Sequence, residues 1–395
     1  MDLGRTGPLA REHGHWLSGS GSLSRPWVSG MVAAPGSRAP VSRTTSSMPN
    51  HYSRPVQHTI AIAQVTQILQ GARGKGVDCE RLLQRAGIAP TLLGSPLARV
   101  TQTQYATLVR HLTRATRDEL WGLCAHPVPL GSFATGCRLL VRCETLGQAL
   151  RQGTRYAHQV LRDFNVHLQV SDGQATLRIA SKGDSSAALE YAQRSFMFFS
   201  FGLACWLVAR RVPLQEVVYD RRVDVLRSDA SRLFQAPVSP ARGWMGLRFE
   251  ARWLDLPVVQ STESLEGFLR QVPGDLLVKY RDHTSLTERI RRVLRRHLHE
   301  ELPSLEAVSA SLAMTPQTLR RRLQREGQGF QAIKDSLRRD VAVEYLSRPD
   351  LTLIEIAERL GYSEASTFHR AFKAWTGLAP GAYRERYLAA PATPI

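Results

Sequence analysis

The sequence predicts an α+β domain followed by an all-α domain in which a long helix joins two helix-turn-helix units. Three observations predict this. Helix and strand periodicities mix through residues 51–273, only helical periodicity follows from residue 285, and one pattern of caps and apolar pairs occurs twice there, roughly 48 residues apart. With 395 residues, 43% apolar and 22% charged, the chain is long enough for two or three cores.

Residues 1–50 are rich in Ser, Gly, Arg and Pro, with few aliphatic side chains at any period, and predict a disordered low-complexity segment. Their Arg-rich, acid-poor composition resembles a transit peptide. They lack an amphipathic helix and the apolar stretch of a secretory signal, and a translation start at Met31 or Met48 is the alternative reading.

Residues 51–273 open on a helical stretch marked by Ile60, Val65, Ile68 and Leu69. Residues 145–160 read as a helix, with Thr145 and Gln148 as a capping box and Leu146, Ala149, Leu150, Ala157 and Val160 near one face. Val166, Leu168 and Val170 then alternate with polar residues, as do Ala175, Leu177 and Ile179 after Ser171-Asp172-Gly173-Gln174, which predicts a hairpin. Residues 196–209 are the most apolar segment. They fall short of the roughly 20 residues that span a bilayer, so a buried core helix is expected. Strand signals follow at residues 216–219 and 246–250, and Pro273-Gly274 opens a linker over residues 274–284.

Residues 285–390 form the expected all-α domain. Leu286, Ile290, Val293, Leu294 and Leu298 predict a helix interleaved with Arg289, Arg291, Arg292, Arg295 and Arg296, readable as a solvated basic helix. Ser304 caps a helix containing Leu305, Val308 and Leu312; after a turn at Ala313-Met314, Thr315-Pro316 opens a second helix over residues 316–324. Leu319 and Leu323 face inward there, leaving Gln317, Arg320, Arg321 and Gln324 for other faces. Residues 330–346 form one helix, with Ile333, Leu337, Val341 and Leu346 buried and Arg338 and Arg339 exposed. At 1.5 Å per residue it spans roughly 25 Å, against the ~34 Å of one duplex turn. In the second unit Thr352 and Glu355 form a capping box, Leu351 and Ile356 a hydrophobic staple, Gly361 the left-handed stop, and Ser363 the next cap. Phe368, Ala371, Phe372 and Trp375 make the core side of the following helix; Ser366, Thr367, His369, Arg370 and Lys373 form a second polar set. Long donors on such helices suit the major groove, where Arg reaches guanine O6 and N7 and Gln reaches adenine N6 and N7.

These residues carry a resemblance. Ile356-Ala357, Gly361-Tyr362-Ser363, Phe368-His369-Arg370-Ala371-Phe372-Lys373, Thr376-Gly377, Pro380 and Tyr383-Arg384 resemble the signature of the AraC/XylS family of transcription regulators. The resemblance implies groove contacts at Gln317, Thr318, Arg320 and Arg321, and at Ser366, Thr367, His369 and Arg370. Arg322 departs from the apolar residue of many relatives; it is either a further phosphate clamp or solvent-exposed. Thr145-Leu146-Gly147-Gln148-Ala149-Leu150, Leu233-Phe234 and Pro237-Val238 are similar to the N-terminal effector domain of a subfamily named for arabinose binding. That similarity implies a sensor for a small organic effector and dimerisation, without implying arabinose as the ligand.

Composition narrows the function classes. A net charge of +18 favours a polyanionic partner, although the residues from Arg281 onward carry less of the excess than the middle of the chain. Five cysteines at irregular spacings, without paired CxxC units, read as reduced thiols and exclude a zinc module. No phosphate loop, HExxH or GxSxG occurs, and His297 and His299 do not have ligand geometry. The expected protein is thus a cytoplasmic bacterial DNA-binding regulator, an activator controlled by a small-molecule effector held beside the aromatic helix around residues 196–206. It would work as a homodimer with promoter DNA and RNA polymerase, with no catalytic activity, cofactor, metal or membrane. The alternative is a ligand-independent regulator or architectural protein whose middle domain only dimerises.

Overall fold

The computed structural model describes residues 59–220, 233–274, 276, 286–326 and 328–388. The expected low-complexity segment and nearly all of the linker lie outside them, as does Ser285.

Strand β1 (Thr59–Ala61) pairs antiparallel with β2 (Arg99–Thr101), setting Thr59 opposite Thr101. Helices α1 (Ile62–Gly74) and α2 (Cys79–Arg85) lie between them, and α3 (Gln102–Thr116) follows. Buried Ile62, Val65, Ile68, Leu69 and Ala72 recur at helical spacing, which is why α1 forms and packs. Thr101 and Gln104 close a capping box at the start of α3. The turn beyond α3 is built on Asp118, whose buried carboxylate accepts from the backbone N–H groups of Leu120, Gly122 and Val128 at 2.8–2.9 Å. Gly71 of α1 lies directly against this turn: a Cβ there would stand 2.4 Å from Trp121 O.

Helices α4 (Ser132–Leu140) and α5 (Leu146–Val160) come next. Thr145 caps α5 as expected, but the capping box does not close: Gln148 Oε1 accepts from Glu144 N, one residue before the cap. β3 (Phe164–Ser171) and β4 (Gln174–Ser181) form the expected hairpin. Its two-residue turn has positive φ at both Asp172 (50°) and Gly173 (71°), matching the twist of the strands. The alternation fades toward the tip, where Leu168 is half-buried and Val170 is exposed, because the hairpin projects beyond the core.

Helix α6 (Ala187–Leu207) is longer than its apolar run, starting at the Ser186 cap and taking in Glu190, Gln193 and Arg194. No described helix is long and apolar enough to cross a membrane. β5 (Glu216–Asp220), β6 (Val238–Ala241) and β7 (Met245–Glu250) complete a five-stranded sheet of order β3-β4-β7-β5-β6, antiparallel except for β5–β6. A 3-10 turn at Ala251–Asp255 and helix α7 (Thr262–Gln271) follow.

The helical part comprises α8 (Leu286–Arg296), α9 (Leu305–Ser311), α10 (Pro316–Arg325), α11 (Phe330–Leu346), α12 (Leu353–Arg359), α13 (Ala365–Thr376) and α14 (Pro380–Leu388). One apolar core runs without a break from Ile60 and Leu69 through Phe164 and Phe249 to Leu319, Val341, Phe368 and Tyr383. A smaller cluster gathers Cys137, Leu140, Leu203, Trp206, Phe268 and Leu276, with Trp206 and Phe268 stacked at 4.3 Å. All five cysteines are free, and burial pushes the Cys124 and Cys137 thiols up to about 12, which keeps them protonated and unreactive.

Gly71→Ala forces a methyl group onto the Trp121 carbonyl. The expected cost is about 1–3 kcal/mol, read as a lower urea midpoint with an unchanged slope.

Candidate nucleic-acid interface and ligand cavity

Each helix-turn-helix unit is assembled from local capping chemistry. Ser304 accepts from Ala307 N at the start of α9, and a left-handed Ala313 (φ 53°) turns the chain. Thr315 accepts from Thr318 N, with Pro316 at the first helical position of α10. In the second unit Thr352 and Glu355 exchange hydrogen bonds at 3.2 and 2.7 Å, and these hold the Glu355 carboxyl below the usual carboxylate range. Gly361 has φ 72° and no room for a side chain, since a Cβ would stand 2.2 Å from Glu300 O. Leu351 and Ile356 are both buried, as a staple requires. Ser363 does not cap α13. The helix begins one residue later, from Glu364, which makes no side-chain capping bond and instead accepts from Ser366 Oγ at 3.0 Å.

The two second helices repeat one another. Leu319 and Leu323 in α10 match Phe368 and Phe372 in α13 at a spacing of 49 residues (368 − 319, 372 − 323), and all four are buried. At the same offset Gln317, Arg320, Arg321 and Gln324 correspond to Ser366, His369, Arg370 and Lys373. Positions i, i+3, i+4 and i+7 share one helix face, opposite each buried pair. Seven of these eight residues are exposed, and His369 is half-buried with its ring edge-on to Phe368 at 5.9 Å. Thr318 and Thr367 fall beside that face. Thr318 is half-buried and its hydroxyl accepts from Thr315 Oγ1 at 2.9 Å; Thr367 is half-buried and lies 3.5 Å from Arg370 Nη2. Arg322 is exposed and points away from the shared face.

Helix α11 holds the units together by a route that hydrophobic patterning misses. Arg338 and Arg339 are half-buried, not exposed, because Arg338 lies over the Tyr362 ring at 4.8 Å and Arg339 approaches Asp340. The reading of α8 as a solvated basic helix fails at Arg291, which is 3% exposed. It donates to Asp340 Oδ2 at 3.0 Å and Ser336 Oγ at 2.7 Å, both on α11. Asp340 Oδ1 accepts from Thr59 Oγ1 at 2.5 Å, and Arg99 donates to the Thr59 hydroxyl and carbonyl at 2.6 Å each. Tyr383 OH donates to Arg99 O, and Arg386 donates to Ser95 Oγ at 2.6 Å. Glu326, just past α10, accepts from Leu286 N and Thr287 N at 3.0 Å each and so caps α8. The sequence signal for the pair was an Asp and an Arg on otherwise apolar faces, beside Val341 and Ile290.

A cavity of about 410 Å³ lies in the α+β part, walled by the aromatic helix α6 through Phe196, Phe199 and Leu203, and by Trp121 and Phe133. Val272 and Pro273 also line it. Leu276, three residues on, is buried against Gly202 of α6. Among the described residues no cluster of three or more His, Cys, Asp or Glu is placed to hold a metal.

Two family models match the chain: the arabinose-binding domain of AraC transcription regulator, N-terminal, over residues 76–258, and a helix-turn-helix domain over residues 308–386. The chain is 27% identical over 341 residues to the ornithine utilization regulator of Pseudomonas aeruginosa, covering 82% of this chain and 96% of that protein. It is 34% identical over 151 residues to the transcriptional regulator VirS of Mycobacterium tuberculosis, covering 36% of this chain and 42% of VirS. Among solved structures, the transcriptional regulator CdpR of Pseudomonas aeruginosa is similar at 22% identity over 70% of this chain and 96% of that chain, with a TM-score of 0.28.

Asp340→Ala leaves the Arg291 guanidinium buried without its carboxylate, at an expected cost of about 3–5 kcal/mol. The double change Arg291→Met with Asp340→Leu recovers most of that loss in urea unfolding. A double variant as unstable as the single one would show that the pair contributes net stability beyond the cost of burying it.

Proposed function

This chain belongs to the AraC/XylS family of transcription regulators, and we propose that α10 and α13 are its two DNA-reading helices, entering successive major grooves. One observation carries this: the polar face Gln317, Arg320, Arg321, Gln324 returns 49 residues later (366 − 317) as Ser366, His369, Arg370, Lys373, each behind a buried apolar pair. Packing does not account for such a repeat, since seven of the eight residues on these faces are exposed. Thr318 and Thr367 serve the edges of the same surface, where phosphates position the protein without reading sequence, while Arg322 stands in solvent away from it.

In this reading residues 51–273 sense and residues 285–390 bind DNA. The cavity beside α6 is the effector site, which favours effector control over a middle domain that only dimerises. An effector there touches Val272 and Pro273, the residues that lead out of the sensing part. The network of Thr59, Arg99, Asp340 and Arg291 fixes how β1 and β2 sit on α11. Occupancy changes promoter binding only to the extent that the effector prefers one arrangement of these parts over another. The protein acts by binding and not by catalysis, as a cytoplasmic homodimer that activates by recruiting RNA polymerase.

Footprinting on the chain's own upstream region at fixed salt tests the assignment. Wild type protects two adjacent major grooves. Arg321→Ala and Arg370→Ala each lose protection at a different groove, with binding weakened by about 1–3 kcal/mol. Salt-sensitive binding without sequence preference, unchanged in both variants, would remove these residues from the readout.

A further inference from the structure

The lining of the cavity restricts what it can hold. Most of its polar side chains already have partners within the wall. Trp121 Nε1 donates to Thr113 Oγ1 at 2.9 Å, and Tyr156 OH donates to Ser132 O at 2.9 Å. Thr154 Oγ1 donates to Arg151 O at 2.9 Å. Glu119 places both carboxylate oxygens on backbone N–H groups, those of Gly131 and Phe133, at 2.7 Å each. The remaining surface is mostly that of Phe, Trp, Leu, Val and Ala side chains. A sugar or a free amino acid entering this space gives up its hydrogen bonds to water and finds few in return, so a wall of this kind selects against both.

Positive charge enters only at the edge. Arg110 and Arg114 line the cavity from α3, are one turn apart, and are exposed, so they mark where it meets solvent. Arg110 donates to Thr107 Oγ1 at 3.1 Å, and no ion pair with a carboxylate engages either guanidinium among the described residues. Glu119, the carboxylate of the lining, is turned onto the backbone and does not neutralise them. Two cations at the mouth of an apolar chamber are complementary to an amphiphile with one anionic end.

We propose that the effector is an apolar organic acid, with an aryl or acyl body among Trp121, Phe133, Phe196 and Phe199 and its carboxylate at Arg110 and Arg114. The proposal rests on the reading of this cavity as the effector site. Gly153 and Ser200 line it from α5 and α6, where larger side chains would fill it.

Isothermal titration of the full chain with decanoate and 2-naphthoate tests this, beside decanol, 2-naphthol, arabinose and ornithine. At least one acid binds saturably, its neutral counterpart binds about tenfold more weakly, and Arg110→Gln with Arg114→Gln removes that difference. Which acid binds separates an acyl from an aryl body. Gly153→Leu and Ser200→Phe, each checked for a wild-type melting curve, abolish binding. If arabinose or ornithine binds instead and loses affinity in these two variants, the cavity remains the effector site and the apolar-acid class is overturned. The class is also overturned if neither acid binds at millimolar concentration, and the role of the arginines if the alcohols bind as tightly as the acids. Acid binding that survives both filled variants overturns the cavity reading itself.

Discussion

The carboxylate of Asp340 is 1% exposed and is held from two directions, by Arg291 on one oxygen and Thr59 on the other. A charge removed from water this completely is tolerated only where charge-assisted hydrogen bonds replace the solvent. Ser336 takes a further Arg291 N–H and Arg99 takes the Thr59 hydroxyl and carbonyl, so the network extends from α8 through α11 to β1 and β2. The apolar core around it is non-directional and would permit α11 to slide or rotate. The ion pair does not, because its geometry is met at one register only. Thr59 and Asp340 are 281 residues apart in sequence, so this contact forms only once both ends of the chain have folded toward each other.

What the sequence made legible was local. The capping box at Thr352 and Glu355, the left-handed Gly361, the Thr315-Pro316 start and the two-residue hairpin turn are each decided by neighbours within about four residues, so their chemistry is complete in the string of letters. The face of α10 and its counterpart on α13 followed from helical spacing alone. Ser363 shows the limit of such reading: a good capping residue stands one position too early because the second turn is one residue longer than the first, which runs from Ser311 to Pro316, against Arg359 to Ala365.

What was not legible was long-range. Arg291 looks like one more cation among Arg289, Arg292, Arg295 and Arg296, and only the arrival of Asp340 from another helix distinguishes it. Arg338 reads as solvent-exposed because nothing near it in sequence announces the Tyr362 ring. Gln148 prefers Glu144 N over its own cap for reasons set by the chain's approach to α5. The aromatic content of α6 points to where a cavity sits, yet the hydrogen bonds that occupy Trp121 and Tyr156 in its wall depend on partners that α3, α4 and the intervening turns bring to it.

The contact between β1, β2 and α11 bears on how such proteins can be recombined. Sensor and reader are often treated as interchangeable cartridges, to be exchanged at the linker. Here a graft at residues 274–284 would separate Thr59 and Arg99 from Asp340 and Arg291, leaving an acid and a base facing surfaces not shaped for them. A functional hybrid has to carry the short N-terminal ribbon along with the reader, or replace all four polar residues together. The unit of inheritance defined by physics is then discontinuous: the last third of the polypeptide plus two three-residue strands near its beginning.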